Sequence, residues 1–208
     1  GNLTYINTWN SQIDIEKVSG TGKLILNGES RNTGNTSTIS ISSADNFTGS
    51  VHITNMATSM KLNVVENLGL NVYVDSYTTG NVKNGFDFTG IGAGNTITLQ
   101  GARGYLAENS TIAANLIIEN SSDSLKAGLE LNDGYSNSTN TFAGTITGGG
   151  NMVINKQDIT NVTQKFTGDI SGWKGNIDIA GGTDHRVLFT GDTTTINNGN
   201  GRRNCYRF

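Results

Sequence analysis

Two aspartates, Asp169 and Asp192, are the carboxylates of this sequence whose spacing could support chemistry. Each directly follows a Phe-Thr-Gly phrase, and 23 residues separate them. If they occupy equivalent positions in adjacent layers of stacked strands, their carboxyl groups lie about 5 Å apart, the separation found in retaining glycosidases. A repeated turn that favours aspartate would produce the same stacking without catalysis. The other charged residues that such an external face could carry are Asp178, Asp184, Lys174 and Arg186.

Trp173 is the candidate ligand-binding aromatic residue. It lies among glycines, where an earlier repeat of the chain has Gly149 or Gly150. An aromatic ring at an exposed corner offers an apolar face on which a sugar ring can stack. The alternative is structural, with the indole closing the edge of the core. The predicted ligand-binding residues are Trp173, Asp169 and Asp192.

No other set of residues in the sequence forms a recognisable catalytic or metal-binding pattern. The only histidines are His52 and His185. Asp184 directly precedes His185, but consecutive side chains of a strand point to opposite faces, so these two would not share a site. The single Cys205 has no evident base partner, and no Gly-x-Ser-x-Gly, EF-hand or metal-spaced histidine pattern occurs. We therefore predict no catalytic residues, no metal, no cofactor and no enzymatic activity.

A recurring phrase indicates how the chain would position these residues. Phe142-Ala143-Gly144, Phe166-Thr167-Gly168 and Phe189-Thr190-Gly191 follow one another at intervals of 24 and 23 residues, and Met152 to Ile154 matches Ile177 to Ile179. Self-similarity at a period of 20 to 50 residues indicates a stack of equal units. The phrase also occurs at Phe47 and Phe88, 41 residues apart, which we interpret as two short coils.

The composition favours continuous β-structure. Hydrophobic residues make up 34% of the chain and charged residues 15%, the net charge is -3, and proline is absent. Proline cannot donate a hydrogen bond to a strand ladder, so its absence fits a backbone that is paired almost throughout. Short alternating apolar segments, such as Val51-His52-Ile53 and Leu70-Asn71-Val72-Tyr73-Val74, have the strand signature. Asparagines at equivalent turns of neighbouring coils are expected to form hydrogen-bonded ladders.

The predicted fold is therefore all-β: a single-stranded, right-handed parallel β-helix with coils of about 20–27 residues. In this fold the repeated Phe is an inward stack position, and the following Gly avoids a clash or adopts positive φ. About nine coils would give a rod of about 40–45 Å. The alternative is an antiparallel β-sandwich, whose strands would recur every 8–12 residues without the longer period. Residues 1–200 are expected to form one solenoid domain, a segment of a longer protein, and residues 201–208 an atypical basic tail.

The Phe-Thr-Gly phrases, together with glycine-rich strands such as 20–26 and 148–154, resemble the autotransporter-associated β-strand repeat of bacterial passenger regions. The similarity is clearest over residues 20–55 and 140–192. It implies a bacterial protein exported to the cell surface or secreted, with a role as an adhesin or structural stalk. The expected partners are glycans or proteins of host or neighbouring cells, with possible self-association along the solenoid edges.

Other classes of partner and activity are less well supported by the sequence. The charge balance is too mild to indicate nucleic acid as a partner. No apolar run is long enough to predict membrane insertion within this segment. The alternative function is a glycan-binding or polysaccharide-degrading β-helix protein.

Overall fold

The computed structural model describes residues 3–8, 11–28, 36–54, 59–74, 86–106, 108–120, 127–133, 136–155, 160–180 and 186–191. These residues form 19 strands and no helix, and the strands pair in three parallel sheets. The fold is a β-solenoid of about six turns, which confirms the predicted parallel β-helix and excludes the antiparallel sandwich.

Sheet A has seven strands, in the spatial order β1 (Leu3–Asn7), β3 (Lys23–Asn27), β5 (Ser50–Thr54), β7 (Asn71–Val74), β9 (Thr96–Leu99), β12 (Asn115–Ile118) and β15 (Ile146–Thr147). Sheet B has eight, in the order β2 (Gln12–Ile15), β4 (Thr36–Ile41), β6 (Ser59–Val64), β8 (Phe86–Asp87), β10 (Ala102–Leu106), β13 (Leu129–Asp133), β16 (Met152–Asn155) and β18 (Ile177–Ala180). Sheet C has four, in the order β11 (Thr111–Ile112), β14 (Thr139–Phe142), β17 (Thr163–Phe166) and β19 (Arg186–Phe189).

The core lies inside the coils, where apolar residues of all three sheets meet. In β5 the side chains of Val51 and Ile53 are fully buried, whereas His52 between them is half-exposed. This alternation follows from the period of two in a strand, because successive side chains point to opposite faces. Burying such residues in each coil stabilises the stack by about 25 cal/mol per Å² of apolar surface removed from water.

The phenylalanine column is confirmed. Phe142 pairs with Phe166, and Phe166 with Phe189, in consecutive strands of sheet C. The first two rings stack with their centroids 4.7 Å apart and the second two at 5.1 Å. Met152 likewise pairs with Ile177 in sheet B, as the sequence alignment predicts. Positions that correspond in the repeat therefore lie above one another in these coils.

Three expectations about the coils need correction. The residue one coil after Phe86 is Gly104, 18 positions later, whereas the residue one coil after Thr111 is Thr141, 30 positions later, so coil length varies beyond 20–27. The described residues form about six turns rather than nine. The estimate of nine divided all 208 residues by the short repeat, whereas the strands that the structure describes lie between Leu3 and Phe189 and some coils are longer.

The third correction concerns the phrase at Phe88. Phe86 and Phe88 are both fully buried and belong to the β8 segment of sheet B, not to the column of sheet C. Two inward phenylalanines separated by one residue fit the strand period here. The 41-residue interval from Phe47 therefore does not measure two equivalent coils. Phe47 lies opposite Gly20, just before a strand of sheet A.

Asparagine ladders form at the turns, as expected. Asn161 donates through Nδ2 to Oδ1 of Asn137 at 2.9 Å, and both residues have positive φ. Asn176 donates to Oδ1 of Asn151 from its backbone nitrogen at 3.0 Å. Asparagine tolerates the left-handed conformation better than most residues, so it can turn the chain while its amide links adjacent coils.

Candidate functional site

The Phe-Thr-Gly turn positions the candidate carboxylates. Phe166 ends β17, and the next residue, Thr167, donates to the carbonyl oxygen of Phe142 in the previous coil, from its backbone nitrogen at 2.9 Å and its hydroxyl at 3.3 Å. Thr190 makes the same two contacts with Phe166, at 2.8 and 3.4 Å. The threonine therefore attaches each turn to the one beneath it, a role that sequence reasoning did not assign.

The glycine of the phrase is required by close approach of the coils. A Cβ added to Gly168 would lie 2.0 Å from the carbonyl oxygen of Gly144, and one on Gly191 would lie 2.1 Å from that of Gly168. None of these three glycines has positive φ. The sequence offered two reasons for a glycine at this position, a steric clash of a Cβ or a positive φ, and the steric clash is the one that applies. The backbone at this corner is packed directly on the coil below.

Asp169 follows this turn and is exposed to solvent. Its Oδ1 accepts a hydrogen bond from the backbone nitrogen of Ser171 at 2.8 Å. This bond, together with a hydrogen bond from the Ser171 hydroxyl, lowers the pKa of the carboxyl below its ordinary value. A carboxylate stabilised in this way is suited to accept hydrogen bonds rather than to donate a proton, because a general acid needs a raised pKa.

We expect Asp169 to titrate below the ordinary aspartate value of 3.8. Since the folded-state pKa is depressed, the stabilising contribution is present above the unfolded pKa and is lost as the pH falls through the folded pKa. Carbon-13 NMR of the carboxyl group against pH measures this midpoint. Ser171→Ala removes the hydroxyl donor but keeps the backbone donor, so it should move the midpoint part of the way back. A midpoint at or above 3.8 in the unaltered chain would contradict the assignment.

The second carboxylate, Asp192, lies outside the described residues. The pairing of β17 with β19 places Phe189 over Phe166, and Gly191 approaches Gly168 in the same turn. The described structure thus stacks the phrase that precedes each aspartate. The separation of the two carboxyl groups stays a prediction.

The remaining charged candidates are not brought to one face. Asp178 is exposed and lies in β18 of sheet B, whereas Arg186 is exposed and begins β19 of sheet C. Lys174 is exposed in the segment before β18. Asp184 lies outside the described residues. Because different sheets form different walls of the solenoid, Asp178 and Arg186 project from different walls.

Trp173 is buried, with 7% of its side chain exposed, and belongs to the hydrophobic core. Its indole nitrogen donates to the carbonyl oxygen of Gly150 in the previous coil at 2.9 Å. Its backbone pairs with Gly148, not with Gly149 or Gly150 as the sequence alignment suggests. The extra residue of this coil therefore precedes Trp173. A buried ring with its polar atom satisfied corresponds to the structural interpretation of this residue.

An outward-facing aromatic pair on sheet A was missed by sequence reasoning. His52 of β5 and Tyr73 of β7 are opposite each other in the register, and their rings stack at 4.9 Å with an interplanar angle of 11°. The Ser50 hydroxyl lies 2.8 Å from Nε2 of His52. Tyr73 is 37% exposed and is the only aromatic among the exposed large hydrophobic side chains of the described residues. The signal was the shared apolar-aromatic-apolar pattern of Val51-His52-Ile53 and Val72-Tyr73-Val74.

The described ranges contain no group of three or more His, Cys, Asp or Glu side chains that could hold a metal ion. Within the same ranges, no helix is long and apolar enough to cross a membrane. Comparisons with protein-family models, with curated proteins and with solved structures found no match to this chain.

Proposed function

We propose that this chain is a segment of an exported bacterial surface protein that serves as a non-enzymatic adhesin or structural stalk, like the passenger of an autotransporter. The observation that carries the proposal is the register of the three sheets, in which parallel strands continue from coil to coil through the described residues. Such a stack is a rod, and its outer walls form a long surface of repeated side chains.

The internal contacts support a load-bearing role. The phenylalanine column, the threonine bonds between turns and the asparagine ladders each connect one coil directly to the next. Separating two coils would break backbone, side-chain and core contacts together. A rod of this construction can hold a binding surface away from the cell, or form that surface along its own walls, where weak contacts repeated along the rod add avidity.

The polysaccharide-degrading alternative needs two carboxylates in different states, one protonated as the acid and one ionised. The hydrogen bonds that lower the pKa of Asp169 suit only the ionised role, and Asp192, which would have to be the acid, lies outside the described residues. The glycan-binding part of the alternative needs no proton donor and fits the exposed aromatic pair on sheet A. We therefore place binding, not turnover, at the centre of the proposal.

Beads coated with the chain test the adhesive and stalk roles together. We expect coated beads to adhere to cultured host cells or to one another, whereas beads coated with the urea-unfolded chain do not. If adhesion is absent, the stalk role still predicts cooperative unfolding of single chains under force. Absence of both adhesion and mechanical resistance would refute the proposal.

An assay for new reducing ends tests the non-enzymatic part. The chain is incubated with a panel of neutral and acidic polysaccharides, and Asp169→Asn serves as the matched control. We expect no release from either protein. Release by the unaltered chain that is abolished in Asp169→Asn would establish the enzymatic alternative.

A further inference from the structure

Several asparagine side chains are exposed at turns of the solenoid, and some of them begin the pattern Asn-x-Thr. All three residues of the pattern are described at Asn46, Asn109, Asn137 and Asn161. Each of these four asparagines is exposed and has a positive φ, between 53° and 57°. Asn-x-Ser/Thr is the acceptor pattern for a sugar linked to the asparagine side chain, and it is used where the asparagine lies on the surface.

The placement of the pattern in the fold distinguishes it from chance occurrence in a chain rich in asparagine and threonine. Three asparagines of the described residues are buried: Asn27, Asn95 and Asn140. None of these three has a serine or threonine two residues later. Wherever the pattern is fully described, it therefore begins at an exposed turn asparagine.

The hydrogen bonds of two of these asparagines show that a sugar is compatible with the stack. Asn109 accepts through Oδ1 from the backbone nitrogen of Thr139 in the next coil, at 2.9 Å. Asn137 accepts through Oδ1 from Nδ2 of Asn161, also at 2.9 Å. A linked sugar is attached at Nδ2, and the resulting amide keeps its oxygen as an acceptor. Modification of Asn109 or Asn137 therefore leaves these bonds between coils in place.

Asn161 differs from the other three in its contacts. Its own Nδ2 is the donor of the bond to Asn137, and the threonine of its pattern, Thr163, is half-buried. The threonines of the other three patterns are exposed: Thr48, Thr111 and Thr139. Both groups that a transferase must reach are thus less accessible at Asn161.

The register also limits which of these asparagines can be modified together. Asn137 lies opposite Asn161, one coil step of about 4.8 Å away, so a bulky sugar on one excludes a sugar on the other. Asn109 lies opposite Thr139 and is offset from Asn137 by two residues, which gives a separation of about 8 Å. Asn109 and Asn137 can therefore both carry a sugar.

We propose that Asn46, Asn109 and Asn137 are sites of N-linked glycosylation, each accepting a sugar from a glycosyl phosphate donor. The asparagine Nδ2 forms a bond to the anomeric carbon of the sugar, and the bond from that carbon to the phosphate oxygen breaks. The phosphate leaves with the electron pair, and one amide proton goes to a base of the transferase. The threonine hydroxyl two residues later marks the acceptor for the transferase. This inference goes beyond the proposed function and does not depend on it.

Peptide mapping by mass spectrometry of the protein recovered from its native source tests the proposal. We expect sugars on Asn46, Asn109 and Asn137. Asn67 is the matched negative position, because it is exposed with a φ of 59° but has glycine, not threonine, two residues later. Absence of sugar from all three proposed sites, or sugar on Asn67, would overturn the inference.

Variants of Thr111, produced in the same source, separate recognition of the pattern from exposure alone. Thr111→Val keeps Asn109 but removes the hydroxyl, so we expect complete loss of sugar from Asn109 and an unchanged amount on Asn46. Thr111→Ser retains the hydroxyl and should retain the sugar. Thr111 is an exposed residue of β11, where valine is favoured, and an unchanged urea midpoint would show that the variant folds. Sugar retained on Asn109 in Thr111→Val would contradict the proposed recognition.

Discussion

Replacing Gly168 with alanine is expected to destabilise the solenoid by about 3 kcal/mol, at the upper end for overpacking. The added Cβ would lie 2.0 Å from the carbonyl oxygen of Gly144 and 2.7 Å from that of Ala143. Both oxygens belong to the backbone of the coil below, which cannot move aside as a flexible side chain can. The stack must therefore separate locally, which also weakens the bonds from Thr167 to Phe142.

Gly149 provides the matched control. A Cβ added there meets no atom within 4 Å, and its φ is not positive, so Gly149→Ala should change the free energy of unfolding by only about 0.5 kcal/mol. Urea unfolding followed by circular dichroism measures both variants. Equal midpoints for Gly168→Ala and Gly149→Ala would show that the coils do not approach at the Phe-Thr-Gly corner as described.

Phe166→Ala is expected to have the largest effect, about 4 kcal/mol. Phe166 is fully buried and its ring contacts Phe142 below and Phe189 above, so its removal leaves a cavity bounded by two rings that cannot both collapse into it. Phe189 is only partly buried, and stacks on Phe166 in the last strand of sheet C.

The matched variant is therefore Phe189→Ala, for which we expect a smaller loss of about 2 kcal/mol. Unfolding free energies of the two variants should be measured under the same conditions, with midpoints compared if the transition is not two-state. A loss in Phe166→Ala no greater than that in Phe189→Ala would contradict the stacked column.

The C-terminal half of the fold could be predicted because its coils are nearly equal in sequence. Phe142, Phe166 and Phe189 recur with the same glycine two residues later, and each phrase fills the same place in sheet C. The glycine could be predicted as a turn residue. Its clash with the coil below could not be distinguished from a positive φ without coordinates.

Identical residues did not guarantee an identical place. Phe88-Thr89-Gly90 repeats the phrase, but Phe86 lies two positions earlier, and a strand buries both rings in sheet B. The sequence comparison placed Trp173 opposite Gly149 or Gly150, one or two residues from its observed partner Gly148. The point at which a single residue is inserted cannot be located in a glycine-rich sequence. Tertiary packing decided both cases.

The most specific polar contact of the core carries no sequence signal. Asn95 is fully buried; its Nδ2 donates to the carbonyl oxygens of Val65 and Gly92, and its Oδ1 accepts from the backbone nitrogen of Leu70. One of 28 asparagines in the chain therefore satisfies three buried backbone groups. The outward pair differs, because its apolar-aromatic-apolar pattern is present in the sequence, but only the register shows that the rings of His52 and Tyr73 meet.

Disulfide formation between adjacent coils tests the stacked register most directly. With Cys205→Ser to remove the native thiol, the pair Thr141→Cys and Lys165→Cys places two outward cysteines directly opposite each other in β14 and β17. Neighbouring strands lie about 4.8 Å apart, within the range for a disulfide, whereas Thr141→Cys with Leu188→Cys spans two steps and exceeds it. We expect mild oxidation to cross-link the first pair and not the second; cross-linking of the second pair alone, or of neither, would contradict the parallel stack.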